Sequence, residues 1–160
     1  MKRIKFNAFH ILVLFASLSM LSSSCNSDDF DPTAQLIKDK QIIKDYLAEK
    51  NLTAVETASG LHYLEVEEGV GDHPSPQSKV EVLYKGYFTS GQSFDQTTGR
   101  NTITFSLQSV IKGWTEGIQL MKRGGKATLF LPSELGYGRN PPSGIPANAV
   151  LIFDVELVQF

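Results

Sequence analysis

The sequence feature that most constrains the fold is a short apolar stripe in residues 110–121, V-I-K-G-W-T-E-G-I-Q-L-M. Its large apolar residues recur at the spacing of one helix face: Ile111, Trp114, Ile118 and Met121. Gly113 and Gly117 lie inside this pattern, and each costs about 1 kcal/mol relative to alanine in a helix. We therefore predict a short helix that approaches other backbone closely and packs its apolar face across a sheet.

Alternating apolar and polar residues on both sides of this helix predict β-strands. In residues 79–88, the side chains that share one face are Val80, Val82 and Tyr84. Similar patterns bounded by glycine, proline and polar turns predict further strands at residues 61–67, 103–105, 126–132 and 150–160. The predicted fold class is α+β, with about five antiparallel strands covered by one short central helix.

The only tryptophan of the chain allows two interpretations. Trp114 lies on the apolar face of the predicted helix, where it either fills the core or forms the floor of a cavity. An apolar stripe at helical spacing is usually core, so the pattern alone favours core filling.

The overall composition excludes several classes of function. The chain has 160 residues, of which 41% are hydrophobic and 20% charged, as in a globular protein. A formal net charge of −2 gives no support to a nucleic-acid partner. One cysteine allows no internal disulfide, and His10, His62 and His73 show no metal-ligand spacing. We find no Ser-His-Asp or Cys-His arrangement of the kind that nucleophilic catalysis uses.

The amino terminus has the pattern of an export signal. Residues 1–24 combine a basic start, an apolar run and three serines, and Cys25 follows directly. This order resembles a bacterial lipoprotein signal, in which the cysteine is acylated and becomes the first residue of the mature chain; the alternative is an ordinary cleaved signal with an incidental cysteine. Residues 25–31 then form an acidic tether, similar to a segment that takes some lipoproteins to the cell surface. We expect an exported protein held by lipid at the outer membrane, on its periplasmic face or at the cell surface.

A second helix is predicted before the globular part of the chain. Pro32 suits the first turn of a helix, and residues 32–50 carry an apolar stripe: Leu36, Ile43 and Leu47, with Ile42 and Tyr46 beside them. This helix could pack on the domain, pair with a second copy to form a dimer, or serve as a spacer. Residues 51–59 complete this segment as a linker, and the globular domain is expected at residues 60–160.

Several strings in residues 60–160 resemble one family. They are V-L-Y-K-G-Y-F, G-Q-S-F-D, V-I-K-G-W-T-E-G-I, L-P-S-E-L-G-Y-G and I-P-A-N-A-V-L-I-F-D-V-E-L. In this order and spacing they resemble the FKBP-type peptidyl-prolyl cis–trans isomerases, over about 100 residues. The resemblance implies a strongly bent sheet wrapped around the central helix, and proline-containing polypeptides as substrates. It also changes the expectation for Trp114, because the matching family tryptophan is the pocket floor.

The resemblance also implies which residues form the site. The pocket would be lined by Tyr84, Phe105, Val110, Ile111, Trp114, Ile145 and Phe153. The residues matching the family's catalytic set would be Phe94, Asp95 and Tyr137. The Tyr137 hydroxyl and the Ile111 N–H would hold substrate carbonyls, while Asp95 would pair with Arg100. Catalysis would then need no nucleophile, metal or cofactor, only an apolar pocket that favours the twisted amide.

Two departures from the family pattern affect the pocket rim. Ile103 stands where an aromatic residue is often found. The loop Arg139–Gly144 is about one residue shorter than in the best-known members, so it carries no inserted chaperone domain. Macrolide ligands, which the resemblance implies for the same pocket, would meet a different set of contacts at this loop.

Overall fold

The computed structural model of this protein describes residues 30–160. The predicted signal sequence, the lipidation site Cys25 and most of the acidic tether lie outside the described residues. In chain order the elements are α1 (Pro32–Glu49), β1 (Val55–Glu56), β2 (His62–Glu67), β3 (Lys79–Tyr87), β4 (Ser93–Gln96), β5 (Ile103–Ser106), α2 (Lys112–Ile118), β6 (Lys126–Leu131) and β7 (Leu151–Gln159). Short 3₁₀ turns at Leu107–Ser109 and Ser133–Leu135 precede α2 and follow β6.

The strands of residues 30–160 form one antiparallel sheet of seven strands, in the order β1-β2-β6-β7-β3-β4, with β5 also paired to β3. β3 pairs with β7 along one edge, and its other edge pairs with β5 near Lys79–Val82 and with β4 near Lys85–Tyr87. The α+β class is confirmed. The two strands beyond the expected five are β1, which lies in the predicted linker, and the short β4.

The predicted central helix is confirmed as α2, which packs on the inner face of the sheet. Trp114, Ile118 and Met121 are buried there, in a core shared with alternate residues of β3, β6 and β7. The prediction for the glycines was only partly correct, because α2 mainly meets leucine side chains. A Cβ on Gly117 would lie 2.8 Å from both Cδ atoms of Leu129, and one on Gly113 would overlap Leu131. Glycine therefore lets the helix lie close to β6.

The amino-terminal helix α1 packs on the outer face of the same sheet, so of the three roles predicted for it the structure shows packing on the domain. Ile43 and Leu47 are buried against Phe130 of β6 and Ile152 of β7. Asp31 caps the helix by accepting hydrogen bonds from the N–H groups of Thr33 and Ala34, and Pro32 occupies the first turn, as predicted. The sheet is thus covered on both faces, by α2 on one and by α1 on the other.

No helix within residues 30–160 combines the length and the apolar character that crossing a lipid bilayer requires.

Candidate functional site

A cavity of about 250 Å³ opens beside α2 on the inner side of the sheet. Its walls come from six parts of the chain: β3, β4, β5, the turn into α2 with α2 itself, the loop after β6, and β7. The lining residues are Tyr84, Asp95, Phe105, Ser109, Val110, Ile111, Trp114, Tyr137 and Phe153.

Trp114 forms the aromatic floor of this cavity and is also part of the core. Its ring meets three other aromatic rings edge-on: Tyr84 at 5.0 Å, Phe105 at 5.3 Å and Phe153 at 5.4 Å between centroids. Such edge-to-face pairs contribute beyond their burial and hold the rings in fixed orientations. With only 4% of its surface exposed, Trp114 fits both interpretations made from the sequence.

The local structure of β3 explains why Tyr84 and Phe153 stand where they do. One edge of β3 pairs first with β5 and then with β4, and Tyr84 lies between the two paired segments, where it bonds Thr97 instead. Thr97 donates its N–H to the Tyr84 carbonyl at 3.0 Å, and the Tyr84 N–H donates to Thr97 Oγ1 at 3.1 Å. Two residues on, Gly86 leaves the space that Phe94 uses to pack edge-on against Phe153, because a Cβ there would lie under 3 Å from both rings.

The acidic residue of the site is bound by a tyrosine. The Tyr84 hydroxyl donates a hydrogen bond of 2.6 Å to Oδ2 of Asp95. Burial, followed by this hydrogen bond, raises the pKa of Tyr84 well above its ordinary value. The expected pairing of Asp95 with Arg100 was wrong: within the described residues, Arg100 forms no ion pair with Asp95. Arg100 lies in the turn closed by the hydrogen bond from the Asn101 N–H to the Thr98 carbonyl, and it does not line the cavity.

Three hydrogen-bond donors at the cavity have no acceptor among residues 30–160. They are the Tyr137 hydroxyl, the Ile111 N–H and the buried Nε1–H of Trp114. Burial, with a smaller effect of the Asp95 charge, raises the pKa of Tyr137, so its hydroxyl stays a donor at neutral pH. Buried donors are almost always paired in folded proteins, and the buried Nε1–H of Trp114 is an exception at this cavity. The Tyr137 side chain is 38% exposed, so its hydroxyl is accessible to a ligand that supplies an acceptor.

Eight of the ten pocket residues named from the sequence line this cavity. Phe94 and Ile145 do not, but both pack on the same core; Phe94 lies behind Phe153, with 5.6 Å between ring centroids. Ser109 also lines the cavity and was not predicted. Its position directly before Val110, at the end of the 3₁₀ turn, is the only sequence signal that could have found it.

A larger hollow of about 450 Å³ lies on the outer face of the sheet, yet it is the poorer candidate. Its lining includes Lys126 and Asp154, and both are already paired. Lys126 contacts Glu67 at 2.6 Å, and Asp154 accepts a hydrogen bond of 2.8 Å from Thr128. Tyr84 is the one aromatic residue in its lining, whereas five aromatic residues line the smaller cavity, which also has unpaired donors.

The fold and the cavity define an α+β domain with an aromatic pocket on the inner side of its sheet and hydrogen-bond donors beside that pocket. The family model described as FKBP-type peptidyl-prolyl cis-trans isomerase matches residues 71–158, more than half of the chain. The chain belongs to this family.

Individual relatives agree with this assignment. The FKBP-type peptidyl-prolyl cis-trans isomerase FkpA of Aeromonas hydrophila is 50% identical over 103 residues, which are 64% of this chain and 38% of the relative. FkpA of Escherichia coli K12 is 42% identical over 122 residues, which are 76% of this chain and 44% of the relative. The chain thus spans less than half the length of these curated relatives.

Solved structures give the same result for the fold. The crystal structure of FkpA from Escherichia coli superposes with a TM-score of 0.70 at 39% identity, covering 79% of this chain and 59% of that one. A peptidyl-prolyl cis-trans isomerase from Pseudomonas syringae superposes with a TM-score of 0.69 at 32% identity, covering 82% of this chain and 96% of that one.

Proposed function

We propose that this protein catalyses cis–trans isomerisation of X–Pro peptide bonds in polypeptides, and so assists protein folding. The observation that carries the proposal is the aromatic cavity over Trp114, with the Tyr137 hydroxyl and the Ile111 N–H at its lining and without an acceptor among the described residues. Membership of the FKBP-type family supports the same activity.

The chemistry requires only a suitable environment for the amide. The barrier to rotation is roughly 20 kcal/mol because amide resonance must be broken. Resonance also separates charge between oxygen and nitrogen, so water stabilises the planar amide more than the twisted one. A cavity lined by Tyr84, Phe105 and Phe153 removes that water and so reduces the free-energy difference between the planar and the twisted amide. Its shape accepts the proline ring.

The polar groups of the site hold the substrate while the bond turns. The Tyr137 hydroxyl and the Ile111 N–H would each donate a hydrogen bond to a substrate carbonyl, which fixes the chain on either side of the rotating bond. Asp95 has a different role in this proposal. It accepts a hydrogen bond from Tyr84 and so fixes one wall of the cavity, and it does not act as a base.

A proline-peptide isomerisation assay on the full chain tests the proposal. We expect exchange faster than the uncatalysed rate at micromolar protein, and slower turnover in the Phe94→Ala and Tyr137→Phe variants without loss of folded structure. The competing function is a module of the same fold that binds proline peptides or acts as a chaperone without turnover. Peptide binding with an uncatalysed exchange rate would establish that alternative. Unchanged turnover in both variants would show that the site lies elsewhere.

The matched control for Tyr137→Phe is Tyr63→Phe. Tyr63 is a half-buried tyrosine of β2 that lies outside the cavity lining, and its hydroxyl has no partner among the described residues. Removing the same oxygen there should leave turnover unchanged.

We further propose that the protein is exported and anchored by lipid at Cys25, at the outer membrane. The support is the order of basic, apolar and serine residues before the single cysteine of the chain. Mass analysis of the mature amino terminus should find an acylated Cys25, and a Cys25→Ala variant should be released from the membrane fraction. An unmodified cysteine in mature protein would exclude the anchor. Fractionation with external protease then separates the periplasmic face from the cell surface.

Two partners stay predictions of this proposal. Macrolide ligands would occupy the cavity over Trp114, so they should inhibit isomerisation competitively with peptide.

A dimer through residues 32–50 would have to use the outward side of α1, since Ile43 and Leu47 are buried within the chain. Ile37 is 65% exposed on that side, so sedimentation of the full chain and its Ile37→Lys variant tests the dimer.

A further inference from the structure

The amino-terminal helix α1 contributes one fully buried acidic side chain, Asp39. Oδ2 of Asp39 accepts two hydrogen bonds from Ser133, one from the N–H at 2.8 Å and one from the hydroxyl at 2.6 Å. Oδ1 accepts a third, from Nε2 of Gln35 at 2.7 Å. A buried carboxyl group is costly unless hydrogen bonds replace its water, and hydrogen bonds to a carboxylate are about twice as strong as neutral ones.

Ser133 opens the 3₁₀ turn that leads directly to Tyr137. The carbonyl oxygen of Ser133 accepts hydrogen bonds from the N–H groups of Gly136 at 3.0 Å and Gly138 at 2.9 Å. These two glycines flank Tyr137 on either side. Both polar ends of Ser133 are therefore engaged: its donors bind Asp39 of α1, and its carbonyl holds the N–H groups of the two glycines that flank Tyr137.

A second contact brings α1 to the same place. Gly60, at the end of the segment that follows α1, packs between the helix and the residue before Ser133. A Cβ built on Gly60 would lie 3.1 Å from Cδ1 of Leu36 and 3.5 Å from Cγ of Pro132. Gly60 thus connects α1 to the base of the Tyr137 loop by packing, beside the hydrogen bonds of Asp39.

We propose that Asp39 is a positioning residue for isomerisation, which fixes the base of the loop so that the Tyr137 hydroxyl stays at the cavity rim. This inference rests on the proposed function. Asp39 lies outside residues 71–158, the part of the chain that the family model matches, and it is 94 positions from Ser133 in the sequence. The helix α1 therefore takes part in the activity of a site on the opposite face of the sheet.

A double-mutant cycle with Tyr137 tests this role, because it separates positioning from general stability. In the full chain we expect Asp39→Ala to lower kcat/KM roughly tenfold, at a temperature where the variant is folded. In the Tyr137→Phe background the same substitution should change kcat/KM less than about twofold, because the hydroxyl it positions is already absent.

Conservative variants refine the test. Asp39→Asn can still present one oxygen to Ser133 if the Gln35 amide turns over, so it should recover most of the lost activity. Ser133→Ala removes only the hydroxyl donor and should lower kcat/KM less than Asp39→Ala does. If Asp39→Ala does not fold, Ser133→Ala takes its place in the double-mutant cycle with Tyr137→Phe. The matched control is Asp45→Ala, on the same helix, whose exposed side chain bonds only Gln41, at 2.8 Å; it should leave kcat/KM unchanged.

The outcomes separate the two proposals. An equal loss in both backgrounds would make Asp39 a purely structural residue and would overturn the inference, as would full activity in Asp39→Ala. If the protein fails as an isomerase, the unsubstituted chain itself shows only the uncatalysed rate, and the proposed function fails before Asp39 is tested.

Discussion

The phenol of Tyr84 and the carboxylate of Asp95 are joined by a hydrogen bond of 2.6 Å at the mouth of the aromatic cavity. The strand register explains this pairing, because Asp95 of β4 lies opposite Gly86 of β3, and Tyr84 shares a face with Gly86. Diagonal neighbours of this kind are within reach of a long aromatic side chain. The pairing of β3 with β4 therefore determines the position of Tyr84 and Asp95 in the cavity wall.

Removing this hydrogen bond should weaken the site. We expect Tyr84→Phe to lose about 1 kcal/mol of stability and to lower kcat/KM roughly fivefold, because Asp95 loses its partner at the cavity wall. The control is Tyr87→Phe, on the same strand, whose hydroxyl bonds Asp154 at 3.2 Å away from the cavity. That variant should lose comparable stability and keep its kcat/KM. Urea unfolding and the isomerisation assay measure both; an equal loss of activity in the two variants would contradict the prediction.

The close contact of α2 with β6 leads to a second prediction. Gly117→Ala should destabilise the protein by about 1–3 kcal/mol, although alanine is the better helix former by about 1 kcal/mol, because its Cβ would lie 2.8 Å from both Cδ atoms of Leu129. Lys112→Ala on the exposed side of the same helix is the control and should change stability little. Thermal or urea unfolding decides, and a stabilised Gly117→Ala would mean that the helix can move away from the sheet at no cost.

Tyrosine ionisation should reduce stability at high pH. Burial, with a smaller effect of Glu65, raises the pKa of Tyr63 to about 12, and burial also raises those of Tyr84 and Tyr87. An unfolded chain loses its phenolic protons at about pH 10, while the folded protein keeps them. The stabilisation is therefore complete below about pH 10 and is lost as the pH rises towards 12.

Urea unfolding across this range, with and without Tyr63→Phe, measures the contribution of Tyr63. The variant should lose stability less steeply above about pH 10 than the unsubstituted protein, since its lysines and other tyrosines are the same. Identical slopes for the two proteins would show that Tyr63 titrates in the folded state as it does in the unfolded chain.

The docking of α1 should account for a measurable part of the stability. Ile43 is fully buried against Phe130 and Ile152, so Ile43→Ala should cost about 2–5 kcal/mol in the free energy of unfolding. Ile37→Ala on the same helix removes an equal side chain that is 65% exposed, and should cost less than about 0.5 kcal/mol. If both variants unfold at the same urea concentration as the unsubstituted protein, α1 does not stabilise the domain.

Sequence periodicity predicted the core between α2 and the sheet well, because the pattern within each short segment shows which of its side chains are buried. The spacing of Ile111, Trp114 and Ile118 indicated α2, and alternation in β3, β6 and β7 indicated which side chains meet it. Family motifs then added the positions of the cavity residues, which no single stretch could have brought together. Eight of the ten named residues line one cavity because the motifs preserve the spacing of those elements.

Long-range pairings could not be predicted in the same way. The stripe of α1 showed that one face is apolar, but not that its partner is the outer face of the sheet. Asp39 and Ser133 are 94 positions apart, and nothing near either residue indicates the other. Arg100 was assigned to Asp95 because the two are close in sequence and match a family pair, whereas the turn between them separates their side chains. The tyrosine that does bind Asp95 comes from the neighbouring strand.

The chain contains a single tryptophan, and that residue is the floor of the cavity. The intrinsic fluorescence of this protein therefore has one indole source. A ligand in the cavity would lie against this indole ring, which three other aromatic rings surround. Titration with a proline peptide that lacks tryptophan would report occupancy directly, in the unlabelled full chain. The same residue that shapes the pocket thus serves as its optical probe.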